Sequence, residues 1–511
     1  MLFLIVLTPL IGILILQIYS SFLKSNLNII NINNKHSFKL IGLITTIITL
    51  ILTIIVWYYF ENNSQAGLNM YENYALLDNN KYMNEISLMY IGLPVDIKLG
   101  IDGLSLYFVL LTVIISPITI LSDWHIGKTY NNIRRVDEVL YIKLILLLES
   151  ILLLVFLCTD LIIFYISFEA TLPPLFLLIG YFGSGSRIRA SYYLILYTIF
   201  GSLFLLISIT TIYYLIRSVD FNVIINNNLS FEIQCILFIL MFISFAVKTP
   251  TFPFHIWLNL AHSEAPLGGS ILLASVILKL ALYGFLRIVI PMLPLATIYF
   301  SPLVYLITVI TIIWASLTTL RQIDTKRIIA YSSVGHVCVS LLGAFSNTQV
   351  GIEGSIILGI SHGLVSPALF IIVGGILYSR YHTRIINYYR GLITYYPLIA
   401  TYFFLFTLCN CGVPLSANFV GEFLSLMGSF IMNPYATALA CISIVLSAGY
   451  SIWLWSRICS GYFSPYLAVT GDLSRREFLI LTPLLLLTIL IGIYPEFIIN
   501  DINYSVSSLI I

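Results

Sequence analysis

The sequence predicts an all-α polytopic membrane protein with about fourteen transmembrane helices. It predicts two inverted five-helix repeats, with helices seven and twelve discontinuous. Three observations lead there. Of the 511 residues, 59% are hydrophobic and only 9% charged, where a soluble protein carries ~25% charged residues. Apolar runs of the ~20 residues that a spanning helix needs recur along the whole chain. The basic residues between those runs alternate from loop to loop.

The runs lie near 2–22, 38–60, 101–122, 139–158, 161–182, 190–216, 231–260, 268–290, 300–320, 326–345, 352–379, 394–431, 434–458 and 478–500. They are called spans one to fourteen. The first has no basic n-region and no small-residue cleavage site, so it reads as a span and not as a signal peptide. With the loops numbered in order, the odd ones hold 17 of the 24 lysines and arginines. The even ones hold only Lys81, Lys98, Arg217 and Arg287, while Lys143, Lys248 and Lys279 fall within spans or at their edges. Positively charged loops keep to one side of a membrane, and a missed span would scramble the alternation downstream. Both termini are therefore expected opposite the basic loops. The longest loop, near 61–100, joins them there and is acid-rich (Glu61, Glu72, Asp78, Glu85, Asp96). The expected organisation is three spans and a long loop over 1–138, a first repeat over 139–290, a second over 300–460, and a final helix within 461–511.

Two spans are interrupted. Pro250 and Pro253 break span seven, and Gly412, Pro414 and Ser416 break span twelve. Interrupted spans at matching positions of two halves point to an inverted-repeat transporter. Pairing spans four to eight with nine to thirteen sets seven opposite twelve, and an odd number of spans per repeat inverts the second. Backbone freed at a break is tolerated only where it lines a polar cavity or packs in protein.

Few charges enter the spans, so each one counts. Those expected to be buried deep in the membrane are Glu149, Glu169, Lys248, Lys279 and Glu422, joined by His336 and His362. A charged side chain at the bilayer centre costs about 2.5–3.5 kcal/mol on insertion scales. A set of acids, lysines and histidines suits proton transfer, because each can exist in two protonation states. A Glu–Lys contact near 4 Å at an effective dielectric of ~20 contributes roughly 4 kcal/mol, enough to switch a lysine between holding and releasing its proton. Histidine titrates near neutrality and suits the middle of such a relay. The rival reading is helix-to-helix ion pairing without transport, with the histidines as packing residues.

The remaining signals are blander. His255, His262 and Glu264 are expected to shape the connection between spans seven and eight, and His36, His125 and His382 to face water. The tryptophans (57, 124, 257, 314, 453 and 455) mostly sit near span ends, as interfacial belts do. The seven cysteines lie mostly within apolar runs and show no zinc or thioredoxin spacing. Asn-x-Ser triplets at Asn62, Asn228 and Asn503 are expected by chance in an Asn-rich chain. A net charge of +2 gives no sign of a nucleic-acid partner. No phosphate-binding loop, HExxH, nucleophile elbow or dinucleotide fingerprint is present.

The segments FAVKTPTFPFHIWLNLAHSEAPLGGSILLASVILKLALYGFLR, LRQIDTKRIIAYSSVGHVCV and LGISHGLVSPALF resemble the proton-conducting antiporter-like subunits. That family serves respiratory complex I and the multisubunit Na⁺/H⁺ antiporters, and the resemblance covers about residues 100–460. It implies a relay. Glu169, in SFEATLPP, would partner Lys248. Lys279 would lead to a central axis, His336 and His362 would be its central histidines, and Glu422 would connect to the opposite side. Glu149 lies outside the family's usual set and is kept as an accessory. Glu422 stands where some members carry lysine, and no long lateral helix follows span fourteen. The resemblance further implies no redox centre, metal or cofactor in this chain, with NADH, FMN, iron–sulfur clusters and ubiquinone in other subunits. Expected partners are other membrane-arm subunits, antiporter-like chains 2 and 5 among them, and lipids. The expected location is the mitochondrial inner membrane, with the basic loops in the matrix. The alternatives are a cation/proton antiporter subunit of an Mrp-type system and a purely structural assembly subunit.

Overall fold

A computed structural model describes residues 1–25, 37–60, 86–87, 96–124, 135–227 and 229–510. Most of the acid-rich loop, His36, His125, Asn62 and Asn228 lie outside the described residues. Among the described residues, thirteen helices are long and apolar enough to cross a membrane, and span twelve adds two shorter apolar pieces, Pro397–Asn410 and Ala417–Met432.

Polar caps start these helices where the sequence supplies them, since the first N–H groups of a helix have no partner within it. Asp102 and Ser105 form a reciprocal capping box at span three, Gly103–Ser122. Asp324 caps span ten, Thr325–Ala344. Ser416 caps the second piece of span twelve. Ser474 and Glu477 box the start of span fourteen, Arg475–Ile493. The last case corrects the expected boundary of 478–500. Tyr494–Pro495 ends the helix early, because a proline disfavours helical backbone in the residue before it. Glu496–Ser507 is a separate helix whose Asp501 accepts from Tyr107 of span three at 2.6 Å. This helix carries no 20-residue apolar run and so escaped the span count.

Span five is interrupted as well. It runs Leu161–Ala170 and then Leu172–Phe182, with the break ahead of Pro173 and Pro174. Span eight, Leu267–Met292, contains two π-helical turns, Leu273–Ile277 and Phe285–Val289. Span eleven, Gln349–Tyr381, contains another at Ile371–Leu377. Lys279 lies between the two turns of span eight.

Spans eight and eleven form the centre of the bundle. Every residue from Gly351 to Phe370 is buried, as are Gly268–Phe285 of span eight. Spans one and two present apolar side chains outward, among them Leu14, Ile18 and Ile44. Span eleven packs closely on the second piece of span twelve, and small residues permit it, as is usual between membrane helices. A Cβ on Gly421 would lie 2.6 Å from the backbone of Leu358. Gly421→Ala must push spans eleven and twelve apart, at a cost of ~1–3 kcal/mol for overpacking. The expected outcome is less assembled complex on a native gel, with the residual complex losing thermal stability. An unchanged gel and melting curve would contradict this account of the contact.

Candidate proton-relay site

The break in span seven positions Lys248. It is the last residue of Phe231–Lys248, and the helix resumes only at Ile256–Glu264. The carbonyls left open at the break are satisfied within the protein. Ala246 O accepts from Thr251 N at 3.1 Å and from Thr251 Oγ1 at 3.2 Å. Val247 O accepts from the indole N–H of Trp257 at 2.9 Å. Trp257 is therefore a buried brace and not an interfacial belt residue.

The Lys248 ammonium is buried and donates to the carbonyl of Phe168 at 3.0 Å. It also lies 3.1 Å from the centre of the Phe168 ring, a cation–π contact. Glu169, the next residue, is half-buried. Its charge acts on Lys248, yet its Oε1 has no hydrogen-bond partner among the described residues. The lysine thus engages Phe168, with the acid beside it as an electrostatic neighbour. Phe168 escaped the sequence reading, because nothing in an apolar run marks one phenylalanine as a cation partner.

A second group is joined by direct contact. Lys279 Nζ donates to Ala274 O in the preceding π turn and lies 2.9 Å from His362 Nδ1. The rings of His362 and His336 are 5.4 Å apart between centroids. His336 Nδ1 lies 2.7 Å from Glu422 Oε1. All four side chains are buried, and the Nε2 atoms of both histidines have no hydrogen-bond partner among the described residues. Lys279, His362, His336 and Glu422 therefore form a file across spans eight, eleven, ten and twelve, two hydrogen-bonded pairs that meet at the two imidazole rings. Such a file can relay a proton, since each imidazole accepts at one nitrogen and releases at the other. No direct contact joins Lys248 to Lys279. Their helices meet through rings, with Phe245 and Phe285 centred 5.2 Å apart.

Glu149 stands elsewhere. It is buried in span four, Arg135–Leu157, and its Oε1 accepts from Thr49 of span two at 2.8 Å. Its Oε2 has no partner among the described residues. Ser116 of span three also bonds to its carboxyl, and Thr45, Thr46 and Thr53 of span two and Thr112 and Thr119 of span three are buried as well. The threonine spacing in span two was the available signal for this partner. Other basic-side residues were also read too simply. Lys326, taken as a loop residue, is buried in the first turn of span ten, and His262, taken as part of a connection, is fully buried.

Residues 158–447 match the family model for the transmembrane region of NADH:quinone oxidoreductase and Mrp antiporters. That range contains Glu169, Lys248, Lys279, His336, His362 and Glu422 but not Glu149. The NADH-ubiquinone oxidoreductase chain 4 of Mycosarcoma maydis is 47% identical, over 100% of this chain and 99% of that one. The chain belongs to the NADH-ubiquinone oxidoreductase chain 4 family. Its counterpart in Yarrowia lipolytica is 44% identical, over 90% and 92% of the two chains. A chain of respiratory complex I from Thermus thermophilus superposes with a TM-score of 0.81 at 25% identity, covering 100% of this chain and 99% of that one. A chain of an archaeal membrane-bound sulfane sulfur reductase gives 0.81 at 21% identity, over 100% and 97%, and so shares the fold. The reading from motifs thus agrees with the family that the whole chain shows.

Glu149 makes a separable prediction. Thr49→Val strips the buried Oε1 of its donor, a loss of ~1–3 kcal/mol. The assembled complex should melt earlier, while turnover per assembled complex should hold. A fall in turnover at unchanged stability would instead bring Glu149 into the relay.

Proposed function

We propose that this chain carries protons across the membrane through Glu169, Lys248, Lys279, His362, His336 and Glu422. The chain is a membrane-arm subunit of proton-translocating NADH:ubiquinone oxidoreductase, and other membrane-arm subunits are its partners. The observation that carries the reading is the unbroken contact of Lys279, His362, His336 and Glu422. Four ionisable side chains in direct sequence are a costly arrangement in the bundle core, and a structural lock needs only a pair. Energy released by electron transfer in other subunits would reach the Glu169–Lys248 end as a change in local field or hydration. Lys248 would then release its proton toward Lys279, and the histidines would pass it to Glu422. Each charge moved against the membrane potential costs about 2.3 kcal/mol per 100 mV.

In this reading Glu149 serves as an accessory. The relay divides between a first repeat over 139–290 and a second over 300–460. Antiporter-like chains 2 and 5 and membrane lipids are its immediate neighbours. NADH, FMN, iron–sulfur clusters and ubiquinone belong to partner subunits. The chain lies in the mitochondrial inner membrane with its basic loops in the matrix.

The test uses Lys248→Ala and Glu169→Gln in the intact complex, with assembly, quinone reduction and proton uptake read separately. The expected result is normal assembly with pumping reduced by about a hundredfold, the lower end of the range for losing a proton-transfer group. Normal pumping in the assembled complex would sink the relay. Loss of assembly alone would favour the structural reading.

A further inference from the structure

Spans five and six meet beside the break in span five. The first half of span five, Leu161–Ala170, ends one residue after Glu169. Tyr165 and Glu169 stand four residues apart and so share one face of that helix. Span six is a single helix, Arg187–Ile216, and Ser202 is buried within it. The Ser202 hydroxyl is a hydrogen-bonding neighbour of both the Glu169 carboxyl and the Tyr165 phenol. Neither Ser202 nor Tyr165 has a role in the relay as read so far.

Close packing holds this serine near Lys248. A Cβ on Gly201, the residue before Ser202, would stand 3.0 Å from the Cβ of Val247, the residue before Lys248. Spans six and seven approach this closely because span six has no side chain at that point. Ser202 and Lys248 therefore follow the two sides of one contact, and Glu169 interacts with both.

Each member of the Glu169–Lys248 pair has a partner other than its mate. The ammonium donates to the Phe168 carbonyl at 3.0 Å and lies against the Phe168 ring. That carbonyl belongs to the last turn of a helix, where acceptors lack donors within the helix and the dipole favours a cation. The carboxyl has Ser202. A pair that was merely loose would leave one charge unattended, and here both are held.

Ser202 can also release the acid and remain satisfied. A hydroxyl carries one O–H donor and two lone pairs. The Ser202 Oγ donates to the Ile199 carbonyl at 3.0 Å, which leaves its lone pairs for the Tyr165 O–H. The same proton, rotated away from Ile199, serves an ionised Glu169. When the carboxylate swings to Lys248, the hydroxyl returns to Ile199 O. Neither position leaves the buried hydroxyl without a partner, which is the arrangement that would be expensive. Linked hydrogen bonds polarise one another, so the phenol strengthens the bond from Ser202 to the acid.

We propose that Ser202, supported by Tyr165, is a positioning residue that holds the Glu169 carboxylate away from Lys248 and so sets how often that ion pair closes. The inference rests on the relay reading above and deepens it. Two arrangements close in energy make a switch that a modest change in field can throw. Without the serine the carboxylate has no seat other than the lysine. The pair then stays closed, and Lys248 keeps its proton.

The experiment compares Ser202→Ala, Ser202→Thr, Tyr165→Phe and Glu169→Gln in the intact complex, with assembly, quinone reduction and proton uptake per NADH read separately. Alanine removes only the hydroxyl, and threonine restores it. A hydrogen bond to a charged group shifts such a balance by about tenfold or more. The expected result is normal assembly, with pumping per assembled complex about tenfold lower in Ser202→Ala, restored in Ser202→Thr, and lowered to a smaller extent in Tyr165→Phe. Equal loss in Ser202→Ala and Ser202→Thr would reduce the serine to packing and overturn the inference. Normal pumping in Ser202→Ala beside loss in Glu169→Gln would overturn it and leave the relay standing. Normal pumping in Glu169→Gln would remove both. Should Ser202→Ala fail to assemble, Tyr165→Phe decides. Reduced pumping there supports the seat, and unchanged pumping overturns it.

Discussion

A lysine nitrogen and an imidazole nitrogen 2.9 Å apart at the centre of the bundle set the terms for the rest of the structure. Lys279 and His362 sit on spans eight and eleven, the two helices least exposed to lipid. A lysine there must either share a proton with its neighbour or remain costly in a medium of low dielectric. The site is built for sharing. The π turn ahead of Lys279 offers Ala274 O, and His362 offers Nδ1. π turns re-aim side chains within a helix and often mark functional positions. Here two of them flank the one lysine of span eight. The close approach of spans eleven and twelve at Gly421 then sets Glu422 against His336, so glycine packing and the acid's position are one constraint.

The two helix breaks solve a related problem. Open carbonyls in a membrane must find donors inside the protein, and at span seven they find Thr251 and Trp257. That anchoring fixes the end of the helix, and with it the direction of Lys248. At span twelve, Ser416 caps the second piece, and Glu422 follows less than two turns later. Each break thus puts an ionisable group a short, rigid distance from irregular backbone, which is where water and charge are least expensive at membrane depth.

Much of this was legible in the sequence, for physical reasons. Lipid demands long apolar runs, and translocation sorts basic loops to one side, so the spans could be counted. Proline and glycine in matching spans exposed the breaks. The ionisable residues stood out because so few enter the membrane. What stayed hidden was partnership. Lys248 bonds to a carbonyl and a ring of Phe168, and neither announces itself in an apolar run. Glu149 found Thr49 of span two, a hundred residues away. Lys326 counted as a loop cation because charge statistics do not register that Asp324 caps a helix beneath it. The end of span fourteen was misread because hydropathy persists past Pro495 while the helix does not.

The two ends of the relay differ in how a proton can move through them. The space enclosed by Lys279, His336 and His362 admits no water, so transfer there depends on direct contact and ring reorientation. Beside His336 and Glu422 lies a cavity of about 20 Å³ edged by Ser316, Tyr331, Ser447 and Tyr450, enough for one water. Among the described residues no hydrogen bond joins Lys248 to Lys279, and their helices meet at the rings of Phe245 and Phe285. In the proposed relay a proton would cross there only when water enters, and water enters an apolar region only when a nearby charge makes it worthwhile. The Lys248 ammonium, held by Phe168 beside the half-buried Glu169, would be that charge. The controlling step of the proposed relay would then fall between spans seven and eight, and not within the file beyond it.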